Sequence, residues 1–200
     1  MKKIGVLGGT FNPVHNTHLY IASEAKRLLK LQEVIFIPAG NPPHKDSKGI
    51  TEAVIRGEMT KLAIRDYKNF TLSEYEINKK SCSYTYETLQ YLKNQCNDTE
   101  LFFITGADSL INLDKWKNVP EILSMATLVV FRRPGYTLEE IINKKKAVEE
   151  QYNCKIILLE LMEMDISSTD IRNRIKNNEE YRFFVPEAVY SFIETLKLYR

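Results

Sequence analysis

The sequence predicts an α/β fold, a doubly wound parallel sheet with helices on both faces. Three observations carry that prediction. Six short apolar runs alternate with stretches of helical period. The runs are rich in Val, Ile, Phe and Leu and lack strict apolar–polar alternation, as expected of strands covered on both faces. The chain has 200 residues, 44% hydrophobic and 27% charged, which is ordinary globular composition and enough for a full core.

The strands are expected at residues 3–7, 33–37, 70–73, 101–105, 127–131 and 155–159. Helices are expected between them. Residues 17–30 set Ile21, Ala22, Ala25, Leu28 and Leu29 on one stripe. Residues 52–65 do so with Ile55, Met59 and Leu62, and residues 84–95 with Leu89 and Leu92. Residues 186–198 align Val189, Phe192, Ile193 and Leu196 behind Pro186, a favourable first-turn residue. Strands alternating with helices imply a parallel sheet, and such sheets bind ligands at the carboxyl ends of their strands. Residues 1–200 read as one domain, its last roughly 35 residues forming a short helical subregion.

Composition excludes several functions. With 28 basic and 26 acidic residues, a formal +2, the chain is too evenly charged for a nucleic-acid binder. The run Lys144, Lys145, Lys146 lies among acidic residues and reads as a solvated helix face. No apolar run approaches the ~18 residues of a membrane span. The apolar stretch behind Lys2 and Lys3 ends at Leu7, too short for a secretory signal, so a cytoplasmic location is expected. Three cysteines, Cys82, Cys96 and Cys154, form no CxxC pair and read as reduced, buried apolar residues. A homo-oligomer is compatible with the sequence, which does not fix the oligomeric state.

The first strand ends in Gly8-Gly9-Thr10-Phe11-Asn12-Pro13-Val14-His15-Asn16-Thr17-His18. Two glycines there permit positive φ and close backbone approach to a ligand. A helix follows with Asn16 or Thr17 as expected N-cap, and its free N–H groups favour an anion. The spacing Gly5-x-x-Gly8-Gly9 is neither GxGxxG nor a P-loop. Two of the three histidines, His15 and His18, sit at this helix start. No third ligand accompanies them in sequence, so no protein-held metal is expected; they read as capping groups or as donors to phosphate oxygens.

The last strand leads into Asp165-Ile166-Ser167-Ser168-Thr169-Asp170-Ile171-Arg172. Ser167 and Asp170 have helix-cap spacing. Three consecutive hydroxyls and Arg172 go beyond what a cap needs and suggest a second phosphate cradle. After the second strand, Gly40-Asn41-Pro42-Pro43-His44-Lys45 offers Lys45 as a phosphate partner. After the fourth come Gly106-Ala107-Asp108-Ser109 and the only tryptophan, Trp116, in a polar segment that suggests a half-exposed stacking ring. Ser83-Tyr84-Thr85 opens the third helix at the same rim.

Together these motifs resemble the two signatures of the nucleotidyltransferase superfamily, His15-x-x-His18 and Ile166-Ser-Ser-Thr-Asp-Ile-Arg172. Within it, residues 40–45, Ser83–Leu89, Gly106–Ser109, Trp116 and Arg132-Arg133-Pro134-Gly135 make the chain similar to the bacterial nicotinate-nucleotide adenylyltransferase family, nearly end to end and including Leu198-Tyr199. The resemblance implies a Rossmann-like sheet and adenylyl transfer from ATP to nicotinate mononucleotide, giving deamido-NAD and pyrophosphate. It implies Mg²⁺ carried on the ATP phosphates, with no nucleic-acid or membrane partner. It assigns Gly8, Gly9, Thr10, Phe11, His15, His18, Ser167, Ser168, Thr169 and Arg172 to ATP, with His15, His18 and Arg172 catalytic. It assigns Asn41, His44, Lys45, Thr85, Asp108 and Trp116 to the mononucleotide: Trp116 stacking on the pyridine ring, Asp108 reaching sugar hydroxyls, Thr85 near the carboxylate.

Two positions depart from the family pattern. Thr17 stands where Gly is common, and its side chain either crowds the nucleotide or caps the helix. Asn12 stands where Asp is frequent and carries no charge. Three alternatives stay open at this point: nicotinamide mononucleotide or phosphopantetheine as acceptor, and a non-catalytic nucleotide-binding regulator.

Overall fold

The computed structural model describes residues 1–40, 50–79, 81–95, 98–132, 135–162 and 164–200. All six expected strands form: β1 (Lys2–Gly9), β2 (Glu33–Pro38), β3 (Phe70–Leu72), β4 (Thr99–Gly106), β5 (Ala126–Phe131) and β6 (Ile156–Leu159). They make one parallel sheet in the order β3-β2-β1-β4-β5-β6. Val6 at its centre is flanked by Ile35 and Phe103 and is fully buried. The order of the strands runs outward in opposite directions from β1 and β4. The crevice at the carboxyl ends of those two strands is therefore the topological switch point, where ligands bind in this architecture.

Eight α-helices accompany the sheet among the described residues: α1 (Asn16–Leu29), α2 (Ala53–Ile64), α3 (Thr85–Gln95), α4 (Ala107–Ile111), α5 (Val119–Met125), α6 (Leu138–Tyr152), α7 (Ser168–Lys176) and α8 (Glu187–Leu196). Two cores sandwich the strands. One joins Leu7 of β1 to Ile21 of α1, Met59 of α2, Ile171 of α7 and Val189 of α8. The other joins Ile4 and Val6 to Leu89 of α3, Leu110 of α4, Ile122 of α5 and Ile141 of α6. Alternate residues of β1 thus feed opposite cores, which is why its sequence reads as a continuous apolar run.

Several expectations are corrected. Leu28 and Leu196 are exposed at 42% and 48%, because each lies in the last turn of its helix where the stripe runs off the core. Cys82 and Cys154 are half-buried rather than buried free thiols, and Cys96 lies outside the described residues. Burial and the neighbouring Glu149 push the Cys154 thiol upward, away from reactivity. The short helices α4 and α5, of five and seven residues, complete too few turns to show a period in sequence. Helix α6 does carry a sequence signal, the Thr137–Glu140 capping box at its start. Of its lysines Lys146 is exposed, as a solvated face requires, whereas Lys144 and Lys145 are half-buried and pair with Asp114 and Glu149. No helix among the described residues is long and apolar enough to cross a membrane.

Candidate active site

The loop between β1 and α1 is the most heavily tied segment of the site. Gly8 and Gly9 remain within β1, so the positive φ expected of a glycine falls instead on Phe11, at 48°. Gly9 serves close packing: a Cβ there would lie 2.9 Å from the Phe11 ring. The N-cap of α1 is His15, not Asn16 or Thr17. Asn16 is the first helical residue and donates its side-chain amide to the Phe183 carbonyl at 2.9 Å. Thr17 follows with its hydroxyl buried and without a hydrogen-bond partner among the described residues.

The cap orients the imidazoles. The His15 backbone N–H donates to Nδ1 of His18 at 3.2 Å. With Nδ1 accepting, the neutral His18 ring carries its proton on Nε2. The two rings lie 3.7 Å apart between centroids, and the Phe11 ring meets His18 edge-on at 4.9 Å. His15 is buried, 3% exposed.

Distant residues grip the carbonyls of this loop one after another. The Ala39 amide donates to the Gly9 carbonyl at 2.8 Å. Arg56 Nη1 donates to Thr10 O at 2.6 Å, Arg172 Nη1 to Asn12 O at 2.7 Å, and Ser168 Oγ to Pro13 O at 2.8 Å. On α7, Ser167 is the N-cap and accepts from the Asp170 amide at 3.1 Å. The second Nη of Arg172 donates to Thr169 Oγ1 at 3.2 Å. The hydroxyls and guanidinium singled out in sequence therefore hold the histidine loop against the start of α7.

Arg56 went unnoticed in the sequence. It is 1% exposed on α2, with Nε on Thr51 O at 2.8 Å and Nη2 on Ala39 O at 2.6 Å and Gly40 O at 3.1 Å. Burial holds this guanidinium below its ordinary value, while Glu76 and Tyr199 oppose the shift. One side chain thus joins the β1 exit, the β2 exit and the start of α2. Hydrogen bonds to charged groups contribute roughly 1.5–3 kcal/mol each. A lone arginine in an amphipathic helix gives no sequence signal of this role.

Two cavities open at the switch point. The larger, about 370 Å³, is walled by Gly8, Gly9, Thr10 and Phe11, by His15 and His18, by Thr105, Gly106, Asp108 and Ser109, and by Ser167, Ser168 and Thr169. The smaller, about 210 Å³, is walled by Ile37 and Ala39, by Ser83, Thr85 and Thr88, and by Glu76, Phe103 and Trp116. Both share Gly8, Gly9, Thr10, Thr105 and Ser109, so a molecule in each would meet across that ridge.

Most expected residues come together there. Asp108 is exposed in the first turn of α4. Trp116 is half-buried, as its polar surroundings suggested, with its edge toward Phe103 at 6.0 Å. Arg172 is the exception, spent on Asn12 and Thr169 and absent from the wall of the larger cavity. Thr17 does not wall the histidine cavity but lines an adjoining hollow of about 190 Å³ that shares Phe131, Ile166 and Ser167 with it. Asn41, His44, Lys45, Arg133 and Pro134 lie outside the described residues.

Glu76 was also missed. Its carboxylate accepts from Thr88 Oγ1 at 2.7 Å and from the Gly40 amide, and burial pushes it above its ordinary range. The two main chains also approach closely here, since a Cβ at Gly40 would fall 1.9 Å from the Glu76 carbonyl oxygen. Among the described residues no group of three or more His, Cys, Asp or Glu could hold a metal ion. Among the described residues Asp108 is the one carboxylate on the wall of the larger cavity. That donor set suits a cation arriving on a ligand's phosphates.

The comparison with known proteins agrees with this geometry. A cytidylyltransferase-like family model matches residues 6–174. A Clostridium botulinum protein named as a probable nicotinate-nucleotide adenylyltransferase is 54% identical over 200 residues, covering 100% of this chain and 99% of its own length. The chain belongs to the nicotinate-nucleotide adenylyltransferase family. A second member, from Clostridium perfringens strain 13, is 50% identical with the same coverage. The fold matches that of Plasmodium falciparum nicotinic acid mononucleotide adenylyltransferase complexed with NaAD. That likeness has a TM-score of 0.80 at 18% identity, over 100% of this chain and 98% of that one. The same enzyme complexed with APC gives 0.78 at 17%, with the same coverage. Nucleotidyl transfer is the chemistry of this family, and the Rossmann-like sheet is its scaffold.

Proposed function

We propose that this protein transfers the adenylyl group of ATP to nicotinate mononucleotide, forming nicotinate adenine dinucleotide and pyrophosphate on the way to NAD. One observation supports it beyond family membership: the two cavities share the Gly8-Gly9-Thr10 ridge, as a two-substrate displacement requires. ATP would occupy the larger cavity, and the pyridine ring the smaller, against Trp116.

The reaction is a direct displacement. A phosphate oxygen of the mononucleotide forms a bond to the α-phosphorus of ATP. The bond from that phosphorus to the bridging oxygen breaks, and pyrophosphate leaves with the electron pair. The attacking oxygen is already anionic, so no protein nucleophile or strong base is needed. Catalysis is then positioning and charge stabilisation. His18, with Nδ1 held by the His15 amide, would donate from Nε2 to a phosphate oxygen as charge builds. His15 would lie beside it. Ser167, Ser168 and Thr169 would hold the triphosphate, with Arg172 acting by fixing the histidine loop. Asp108 would take sugar hydroxyls and Thr85 the nicotinate carboxylate. Asn41, His44 and Lys45 would face the mononucleotide, Lys45 near its phosphate. Mg²⁺ on the ATP phosphates would neutralise their charge and that of the departing pyrophosphate. Residues 1–200 act as one domain, in the cytoplasm.

The test is pyrophosphate release with Mg-ATP and nicotinate mononucleotide, nicotinamide mononucleotide or phosphopantetheine in parallel. Turnover with the first and little with the others is expected. Turnover preferring another acceptor would replace the substrate assignment. ATP binding without turnover on any acceptor would make the protein a nucleotide-binding regulator.

A further inference from the structure

We propose that Tyr199 is a positioning residue for adenylyl transfer: its hydroxyl, acting through Asn12, holds the loop that carries His15 and His18. The inference rests on the function proposed above. Tyr199 lies beyond α8, 187 residues along the chain from Asn12, and donates from Oη to Asn12 Oδ1 at 2.9 Å. Its φ of 68° lies in the left-handed region. A bulky residue adopts that region at a free-energy cost and keeps it only where its surroundings hold it.

The polarity of the contact follows from chemistry. A side-chain amide oxygen only accepts, so the phenol must keep its proton and donate. Burial pushes the phenol up to about 12, which keeps that donor intact at neutral pH. The same Asn12 Oδ1 accepts the Thr51 amide at 3.3 Å, and the Asn12 carbonyl accepts Arg172 at 2.7 Å. Asn12 is 4% exposed, so water does not readily replace a lost partner. Three residues from three distant stretches therefore clamp one asparagine, three positions before His15. Tyr199 lines neither cavity; its hydroxyl also meets Thr51 and, at 3.9 Å, the Met59 sulfur, and its contact with Asn12 is the one that leads to the histidine loop.

Displacement of a reacting group by about 1 Å can cost 10²-fold in rate. Loss of one of at least three clamps on Asn12 should cost less. Tyr199→Phe keeps the ring and removes only the hydroxyl. We expect kcat to fall about tenfold, with KM for ATP and for nicotinate mononucleotide within about twofold of wild type. In an Asn12→Ala background the same substitution should have no further effect. In Asn12→Asp, which keeps the acceptor, it should again lower kcat.

Unchanged kcat in Tyr199→Phe would overturn the proposal, as would losses that multiply in the Asn12→Ala double variant. A Tyr199→Phe protein that melts early or fails to bind ATP would make the hydroxyl a requirement of the fold and also overturn it. The parallel wild-type assay separates this from the function itself. A wild type inactive on nicotinate mononucleotide refutes the function, whereas an active wild type with an equally active variant refutes only the clamp.

Discussion

The two cavities at the switch point are built in opposite ways. The larger is made mostly from two contiguous stretches, residues 8–18 and 166–169, with the β4 exit closing it. Its histidine loop is held through main-chain carbonyls by Ala39, Arg56, Arg172 and Ser168. The smaller takes one to three residues from each of several elements, with an acid, Glu76, in a wall facing an acidic substrate. The difference separates two tasks. Charge stabilisation at phosphorus needs several dipoles fixed together, which one loop and one helix start supply. Recognition of a flat ring needs a few surfaces facing each other, which the fold can draw from anywhere.

That contrast predicts different kinetic signatures. His18→Ala, in the larger cavity, should have the largest effect. Removing one preorganised donor costs ~10²–10³ in rate in other enzymes, and kcat should fall by that order with the fold intact. Near-normal turnover would remove His18 from its role. Trp116→Ala, in the smaller cavity, should spare kcat and raise KM for the mononucleotide. Stacking on an aromatic side chain is worth ~1–3 kcal/mol, so an increase of about tenfold or more is expected. A Trp116→Ala variant impaired in kcat alone would break the division of labour between the cavities.

Glu76 sharpens the comparison through pH. Burial raises its carboxyl above the ordinary 4.5, so the folded state holds its proton more tightly than the unfolded state does. Stability from this group is present below pH 4.5 and is lost as pH rises through the higher folded value. Glu76→Gln cannot ionise. Wild type should therefore lose thermal stability relative to Glu76→Gln as pH rises above 4.5. A difference in melting temperature that stays constant across that range would show that Glu76 ionises in the folded protein as it does in the unfolded one.

The smallest effect is expected at Thr17, which walls neither of the two cavities. Its buried hydroxyl lacks a partner among the described residues, and such a group costs about 1–3 kcal/mol. Thr17→Val should raise the melting temperature by about 2–12 °C, at about 2–4 °C per kcal/mol, and leave KM for ATP unchanged. A raised KM would place the hydroxyl at the nucleotide after all.

Legibility in the sequence followed the same division. All six strands were readable because central parallel strands are apolar on both faces, as Val6 and Ile104 are. His15, His18, Ser167, Ser168 and Thr169 were readable because contiguous polar residues at a strand end have little structural reason to cluster. Their local roles were less readable. The glycines do not supply the positive φ, His15 is the cap, and Arg172 reaches back to Asn12. Arg56 and Glu76 were invisible for one physical reason, and Tyr199 stood out only through the family resemblance. Each works by bridging segments far apart in sequence, so no local spacing marks it. Helices α4 and α5 were missed because they are too short to show a period.

The central claim is that two substrates meet across the Gly8-Gly9-Thr10 ridge and react in one displacement. Stereochemistry at phosphorus tests it most directly. The enzyme would be given a single diastereomer of ATP carrying sulfur at the α-phosphorus, with nicotinate mononucleotide as acceptor, and the configuration of the thio-dinucleotide product would be determined. A single in-line attack predicts inversion. Retention would mean two displacements through a covalent adenylyl-enzyme and would contradict the account.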